Sequence, residues 1–375
     1  MRARTVALSG LVALALAMGI GRFAFTPILP MMQAETGLTV KAAGWIASAN
    51  YLGYFAGALW ATLQRADAAR AIRLSLLATS AATAAMAFAH ALLPWLALRF
   101  VAGVASAWAL VCVASWCIER LAALGRRALN GTVFAGVGAG ILLAGGVCLA
   151  IMTSGAGARE AWLALGVLGF VATALVWPVV GAQAAGSTAP AAGPLRWNAG
   201  ALVLVACYGA FGFAYIVPAT FIPAMAKQAI GDSLAFGWAW PVFGAAAAAS
   251  TLAAGALSSR LSNRAIWILC ALAMAAGVAV PLAVPGLPGI LASAVLVGST
   301  FVVITMVGLQ EARAVAAGSA STLVAAMTSA FAAGQVAGPL VVSAVGGFRP
   351  ALLGASALLV ASAIALSRSA GAVAR

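Results

Sequence analysis

Charge is scarce in this sequence, acidic charge above all. Six acidic residues and one histidine serve 375 positions, and 7% of the chain is charged against 65% apolar. A soluble domain carries roughly 25% charged residues, so water is excluded as the solvent for most of this surface. A lipid bilayer accepts such a surface if every backbone group is satisfied inside helices. The missing carboxylates also restrict the chemistry. Glu35, Asp67, Glu119, Glu160, Asp232 and Glu311 lie between or at the ends of apolar runs, which leaves none mid-membrane to relay a proton. The lone His90 also sits at the end of a run, where an interfacial role fits better than a relay.

Other absences exclude whole classes. Cys112, Cys117, Cys148, Cys207 and Cys270 lie within apolar runs and form no C-x-x-C pair, so neither a metal site nor a disulfide framework is expected. No nucleophile and base, paired carboxylates or metal cluster converge in the sequence, so an enzyme is not expected and no cofactor is implied. The net charge of +14 does not mark a nucleic-acid partner, because the arginines form short clusters between apolar runs and no basic face.

What is present is a series of apolar segments, each near the roughly 20 residues needed to cross a bilayer. They are expected at 7–32, 42–63, 72–91, 94–117, 130–152 and 161–182, then at 198–226, 235–257, 265–284, 289–310, 320–345 and 350–367. Pro281, Pro285, Gly286 and Pro288 mark the turn between the ninth and tenth. Arg2 and Arg4 precede Ala15-Leu16-Ala17 as in a signal peptide, but the run continues to Met32. It reads as an uncleaved first helix that starts in the cytoplasm.

Basic residues orient these spans. Fourteen fall on one side: Arg2, Arg4, Arg65, Arg70, Arg73, Arg120, Arg126, Arg127, Arg196, Arg260, Arg264, Arg313, Arg368 and Arg375. Four fall on the other, Lys41, Arg159, Lys227 and Arg349, and two lie within spans. The positive-inside rule then puts both termini in the cytoplasm. The stretch Ala182–Arg196 is rich in Ala, Gly and Pro and reads as a linker. The expected division is a bundle over 1–183, a cytoplasmic linker over 184–196 and a second bundle over 197–375. The halves repeat weakly: Phe23-Ala24-Phe25 matches Phe213-Ala214-Tyr215, Gly44-Trp45 matches Gly237-Trp238, and Gly57-Ala58-Leu59 matches Gly255-Ala256-Leu257.

The two intramembrane arginines are the candidate functional groups, since a charge at the bilayer centre costs roughly 2.5–3.5 kcal/mol on insertion scales. Arg22 lies mid-span in Gly19-Ile20-Gly21-Arg22-Phe23-Ala24-Phe25-Thr26-Pro27, with Thr26 one helical turn on. It is expected either to bind an anionic or polar group of a solute, or to be enclosed by helix carbonyls. Arg99 lies toward the outer end of the fourth span, above Gly103 and Ser106, as a coupling or structural residue or one that snorkels to the interface. Polar and aromatic stripes mark further lining: Asn50, Tyr51 and Tyr54; Tyr208, Phe211, Gly212 and Tyr215; Thr328, Phe331 and Gln335. Of these, Asn50, Tyr51, Tyr54, Phe211, Tyr215 and Gln335 join Arg22 and Thr26 as the expected solute site. Interhelical packing is the competing role for each stripe.

Several motifs carry a family resemblance. Arg99-Phe100-Val101-Ala102-Gly103 resembles the Arg-x-x-x-Gly of the fourth helix in major facilitator transporters. The segment Gly57-Ala58-Leu59 to Asp67-Ala68-Ala69-Arg70-Ala71-Ile72-Arg73 resembles their cytoplasmic loop motif, without the usual Asp-Arg pair, and makes Asp67 and Arg70 coupling or structural residues. Gly334-Gln335-Val336-Ala337-Gly338-Pro339 resembles a glycine- and proline-containing motif of the fifth helix in some exporters. Gly-Ile-Gly-Arg-Phe-Ala-Phe-Thr-Pro-Ile-Leu-Pro at 19–30 is similar to the first helix of the YbfB/YjiJ branch, as are Ala43-Gly44-Trp45-Ile46, Asn50-Tyr51-Leu52-Gly53 and Phe221-Ile222-Pro223.

The resemblance implies an all-α membrane protein of about twelve transmembrane helices, as two six-helix pseudo-repeats around a central cavity. It implies a secondary transporter that moves a small solute across a bacterial inner membrane by alternating access. Efflux, an anionic solute, a proton or other coupling ion and a monomeric state are the finer expectations. A receptor or scaffold with the same fold and no transport is the alternative.

Overall fold

The computed structural model describes residues 2–63, 67–181, 197–230, 237–257, 260–316, 319–344 and 348–373. The described residues are almost entirely helical and contain no strand. The first span is α-helical over Ala3–Leu14 and Phe25–Thr36, with a π-helical turn at Ala15–Ile20 between them. The second to sixth helices are Val40–Leu63, Ala68–Ala85, Leu92–Ala123, Asn130–Thr153 and Ala158–Gly181. The seventh to twelfth are Ala199–Ile230, Ala239–Leu257, Asn263–Ala283, Leu287–Val315, Ala320–Ala344 and Phe348–Val373.

Ten of these segments are long and apolar enough to cross a membrane. The second helix is as long as the others, but Lys41, Asn50, Tyr51 and Tyr54 make it more polar. Of the eleventh, Thr322–Gly338 counts as a shorter apolar helix. Large apolar side chains such as Leu52, Leu93, Leu175 and Leu269 stand more than half exposed on the outside of the bundle, the surface that lipid covers.

Helix ends follow local chemistry. Gly37 stops the first span in the left-handed conformation, with φ 67°. The Asp67 carboxylate accepts from the amides of Ala69 and Arg70 and so caps the third helix. Ser262 does the same for the ninth. The ninth–tenth turn falls where the prolines place it, with Gly286 at φ 79° and the tenth helix starting at Leu287. Pro281 lies inside the ninth helix. The fourth and seventh helices are 32 residues each, about 48 Å by helical rise. They overrun a hydrocarbon core of about 30 Å, which is why apolarity alone places their ends short.

Packing repeats between the halves. The first span packs on the fifth and sixth, the second on the fourth, and the third on the fourth and sixth. The second half answers in order: the seventh on the eleventh and twelfth, the eighth on the tenth, the ninth on the tenth and twelfth. Between halves, the fifth packs on the eighth and the second on the eleventh. Small residues allow the closest crossings. A methyl on Gly19 would run into the backbone of Gly140, and one on Gly334 into that of Gly209. The first and fifth helices therefore cross as the seventh and eleventh do. The expected linker at 184–196 and the loop residues Gln64, Arg65 and Ala66 lie outside the described residues.

Candidate substrate site

The site begins with an interruption. The first span, Ala3–Thr36, widens to π-helix at Ala15–Ile20 and passes through turns at 21–24 before regular α-helix resumes at Phe25. Pro27 has no amide hydrogen to offer the carbonyl one turn earlier, that of Phe23. The amide of Thr26 serves that carbonyl instead, at 3.2 Å. Thr26, half-buried, thus enters the structure through its backbone.

Arg99 completes the arrangement. Its Nη1 donates to the Gly21 carbonyl at 2.9 Å and its Nη2 to the Arg22 carbonyl at 2.7 Å. The rings of Phe25 and Trp162 lie 5.6 and 6.0 Å from its guanidinium carbon. Asn50 ties Arg99 back to the second helix, its Nδ2 donating to the Arg99 carbonyl at 2.9 Å. Arg99 is 2% exposed, so it does not snorkel. Its fork braces the turn that follows the π-helical segment.

Arg22, braced in this way, projects toward the other half. Its guanidinium lies 3.9 Å from the Tyr54 ring centre and 5.6 Å from those of Phe23 and Tyr51. Such cation–π contacts are worth about 2 kcal/mol or more when desolvated. Nη2 donates to Gln335 Oε1 on the eleventh helix, and Gln335 Nε2 donates to the Tyr215 hydroxyl at 2.9 Å on the seventh. The amide orientation is chemically required, since a guanidinium has no acceptor. Arg22 is 3% exposed, and its Nε and Nη1 have no hydrogen-bond partner among the described residues. No described carboxylate pairs with it.

Aromatic rings enclose the polar bridge. Tyr215 stacks between Phe301 at 5.4 Å and Phe331 at 5.7 Å, and Phe211 packs on both Tyr215 and Phe331. Phe23 crosses to the second half, against Trp240 and Phe301. Tyr51 reaches Thr220 on the seventh helix, hydroxyl to hydroxyl, at 3.4 Å.

Residues 14–367 match the family model described as "Uncharacterised MFS-type transporter YbfB". The chain belongs to this family of major facilitator transporters. No curated protein sequence matches it. Among solved structures, the human organic anion transporter MFSD10 (TETRAN) shares the fold, with a TM-score of 0.73 at 15% identity, over 98% of this chain and 100% of that one. The family is one of transporters, which is not an enzyme class.

In this YbfB-type transporter the sequence-predicted residues divide into three groups. Arg22, Tyr54, Gln335, Tyr215 and Phe211 converge on one bridge, with Tyr51 at its edge. Asn50 and Arg99 serve the backbone beneath it. Asp67 and Arg70 stand apart, as the cap and first turn of the third helix. Arg73 grips the Trp177 carbonyl on the sixth helix at 2.7 Å. In the second half, Arg264 pairs with Glu311 at 3.1 Å. Sequence reasoning missed Phe301 and Trp240. Trp240 stands among apolar residues, and Ser299 and Thr300 beside Phe301 form no helical stripe with it that would have singled it out.

Proposed function

We propose that this transporter carries a small organic anion by alternating access, and that Arg22 is the anion's ligand. One observation supports the reading above others: Arg22 is enclosed with Nε and Nη1 unpartnered among the described residues and only a neutral amide on Nη2. A buried charge without a counter-charge is costly, and a solute carboxylate supplies one. Gln335 Oε1 stands where a carboxylate oxygen would sit. A carboxylate displacing it takes two donors of the planar fork at once. The aromatic walls suit an apolar or ring-bearing body. The human relative in fold is described as an organic anion transporter, but the reading rests on Arg22.

The same displacement connects binding to motion. The Arg22–Gln335 bond spans the two halves, so an anion that replaces it removes a tie between bodies that must rock. Both walls come from one chain, so a monomer suffices. With both termini in the cytoplasm of a bacterial inner membrane, as the arginine asymmetry favours, efflux of an anion needs no coupled ion. The inside-negative potential drives it, at about 2.3 kcal/mol per charge per 100 mV.

The test is counterflow in liposomes with a panel of labelled monocarboxylates. Uptake against preloaded unlabelled compound is expected for at least one, and none with Arg22→Ala. If no carboxylate exchanges while a neutral or cationic solute does, the anion reading is wrong. If no solute of any charge exchanges, the chain is a receptor or scaffold.

A further inference from the structure

One face of the Tyr54 ring lies on the Arg22 guanidinium. The ring also lines a separate narrow recess, whose free space of about 20 Å³ is about that of one water. The recess lies toward the end of the bundle where the first helix begins and the tenth ends. Leu110 and Ser115 of the fourth helix, Leu309 and Arg313 of the tenth and Val324 of the eleventh line it. Both halves therefore contribute to its lining.

We propose that this recess is a second anion station, at which Arg313 holds the solute's carboxylate before or after it occupies Arg22. The proposal rests on the reading of Arg22 as the anion's ligand. Arg313 is the one charged residue of the lining. Its Nη2 donates across the halves to the Ser115 hydroxyl at 2.9 Å, a neutral partner that leaves the charge in place. Glu311, two residues earlier, is engaged with Arg264, and no described carboxylate forms an ion pair with Arg313. Glu119 is exposed nearby and acts on Arg313 through space.

A half-buried cation between low-dielectric walls concentrates anions ahead of the site they are bound for, by roughly 10- to 1000-fold. Thr328 lines the recess on the same helix as Gln335, two turns away, or roughly 10 Å by helical rise. Tyr54 lines both places, so a carboxylate moving between Arg313 and Arg22 would pass its ring once rocking of the halves has widened the recess. Arg313 and Arg22 also meet the same requirement from opposite halves. Each trades a neutral hydrogen-bond partner, Ser115 or Gln335, for the anion.

The experiment reads the field in the recess directly. Val324→Cys, on a half-buried wall position, is reacted in purified full-length protein with an anionic thiosulfonate (ethylsulfonate) and a cationic one (ethyltrimethylammonium). Peptide mass spectrometry follows that site among the native cysteines. The anionic reagent is expected to react about tenfold faster at low salt, and the preference to shrink as salt rises. Arg313→Gln should bring the ratio near one, and Arg313→Lys should keep it, because a point charge is enough. Arg22→Gln should lower the ratio far less than Arg313→Gln, because the Arg22 charge lies behind the Tyr54 ring, so the outcome is separable from the counterflow test of Arg22. Val111→Cys on the facing wall repeats the measurement if the first variant misfolds. A ratio near one in the parent, or one that Arg313→Gln does not lower, overturns the proposal and leaves Arg313–Ser115 as a structural tie.

Discussion

Arg99 donates to the backbone carbonyl of Arg22 at 2.7 Å, so one buried arginine fixes the base of the other. Both are buried within the bundle, and their uses differ. Two of the Arg99 donors are spent on the carbonyls of that turn. Arg22 keeps Nε and Nη1 unspent. Arg99 also keeps its Nε without a partner among the described residues, so the difference lies at the terminal nitrogens: both of Arg99's are committed to backbone, whereas Nη1 of Arg22 is open to a solute.

Replacing Arg99 by lysine therefore tests this brace. A single ammonium cannot serve the Gly21 and Arg22 carbonyls in one plane. A buried acceptor left unserved costs about 1–3 kcal/mol. Arg99→Lys is expected to lower the thermal midpoint in detergent by several degrees and to reduce transport, because Arg22 loses its footing. An unchanged midpoint would show that the first helix holds its turn without Arg99.

Gln335→Glu tests the place held for a carboxylate. The substitution is nearly isosteric and puts a permanent anion on Arg22. A charge-assisted bond adds about 1.5–3 kcal/mol over solvent. The variant is expected to melt higher than the parent, and to lose both anion-induced stabilisation and transport. A variant that still binds the transported anion would mean that solute and Gln335 do not compete.

Much of this was legible in the sequence, and the limits have physical causes. The apolar runs placed the helices because lipid leaves the backbone no other choice. The depth of Arg22 singled it out, with solute binding and enclosure by helix carbonyls both open. Phe23 and Tyr215, singled out in the sequence on the first and seventh spans, both pack on Phe301. The irregular stretch at 15–24 was not legible, although Gly19, Gly21 and Pro27 were. Those residues permit such a stretch, and the carbonyl partner that sustains it lies 77 positions away. Asn50 and Tyr51 read alike in one stripe. Adjacent helical residues point about 100° apart, and only packing decides that Asn50 meets the fourth helix and Tyr51 the seventh.

The glycine crossings give a stability prediction with an internal control. A side chain at Gly140 would strike the backbone of Ala15, whereas Gly146 on the same helix is exposed with open space around it. Gly140→Val is expected to cost at least the 1–3 kcal/mol of an overpacked core, read as a lowered midpoint or lost monodispersity. Gly146→Ala should be neutral, or stabilise by up to about 1 kcal/mol through helix propensity. Equal behaviour of the two would remove the close first–fifth crossing from the account of the fold.

Topology is tested by fusion. With both termini cytoplasmic, alkaline phosphatase joined at the C-terminus should be inactive, and joined after Gly157, between the fifth and sixth helices, active. An active C-terminal fusion would reverse the orientation and, with it, the side on which the Arg313 recess opens.

Arg22→Lys separates the two roles open to the central arginine. Lysine keeps the charge and loses the planar fork. If Arg22 serves only to join the halves through Gln335, the lysine variant weakens that tie in the empty protein and leaves any effect of added anion unchanged. If Arg22 is the anion's ligand, the variant reaches the membrane in normal amounts but binds the transported anion more weakly by about 1–3 kcal/mol, the range for hydrogen bonds involving a charge. The quantity to compare is the rise in midpoint at saturating anion over that without anion, for parent and variant. Arg22→Ala should show no rise at all, because the Gln335–Tyr215 bond survives without offering a charge. An equal rise in parent and lysine variant would place the anion elsewhere and return Arg22 to the fold.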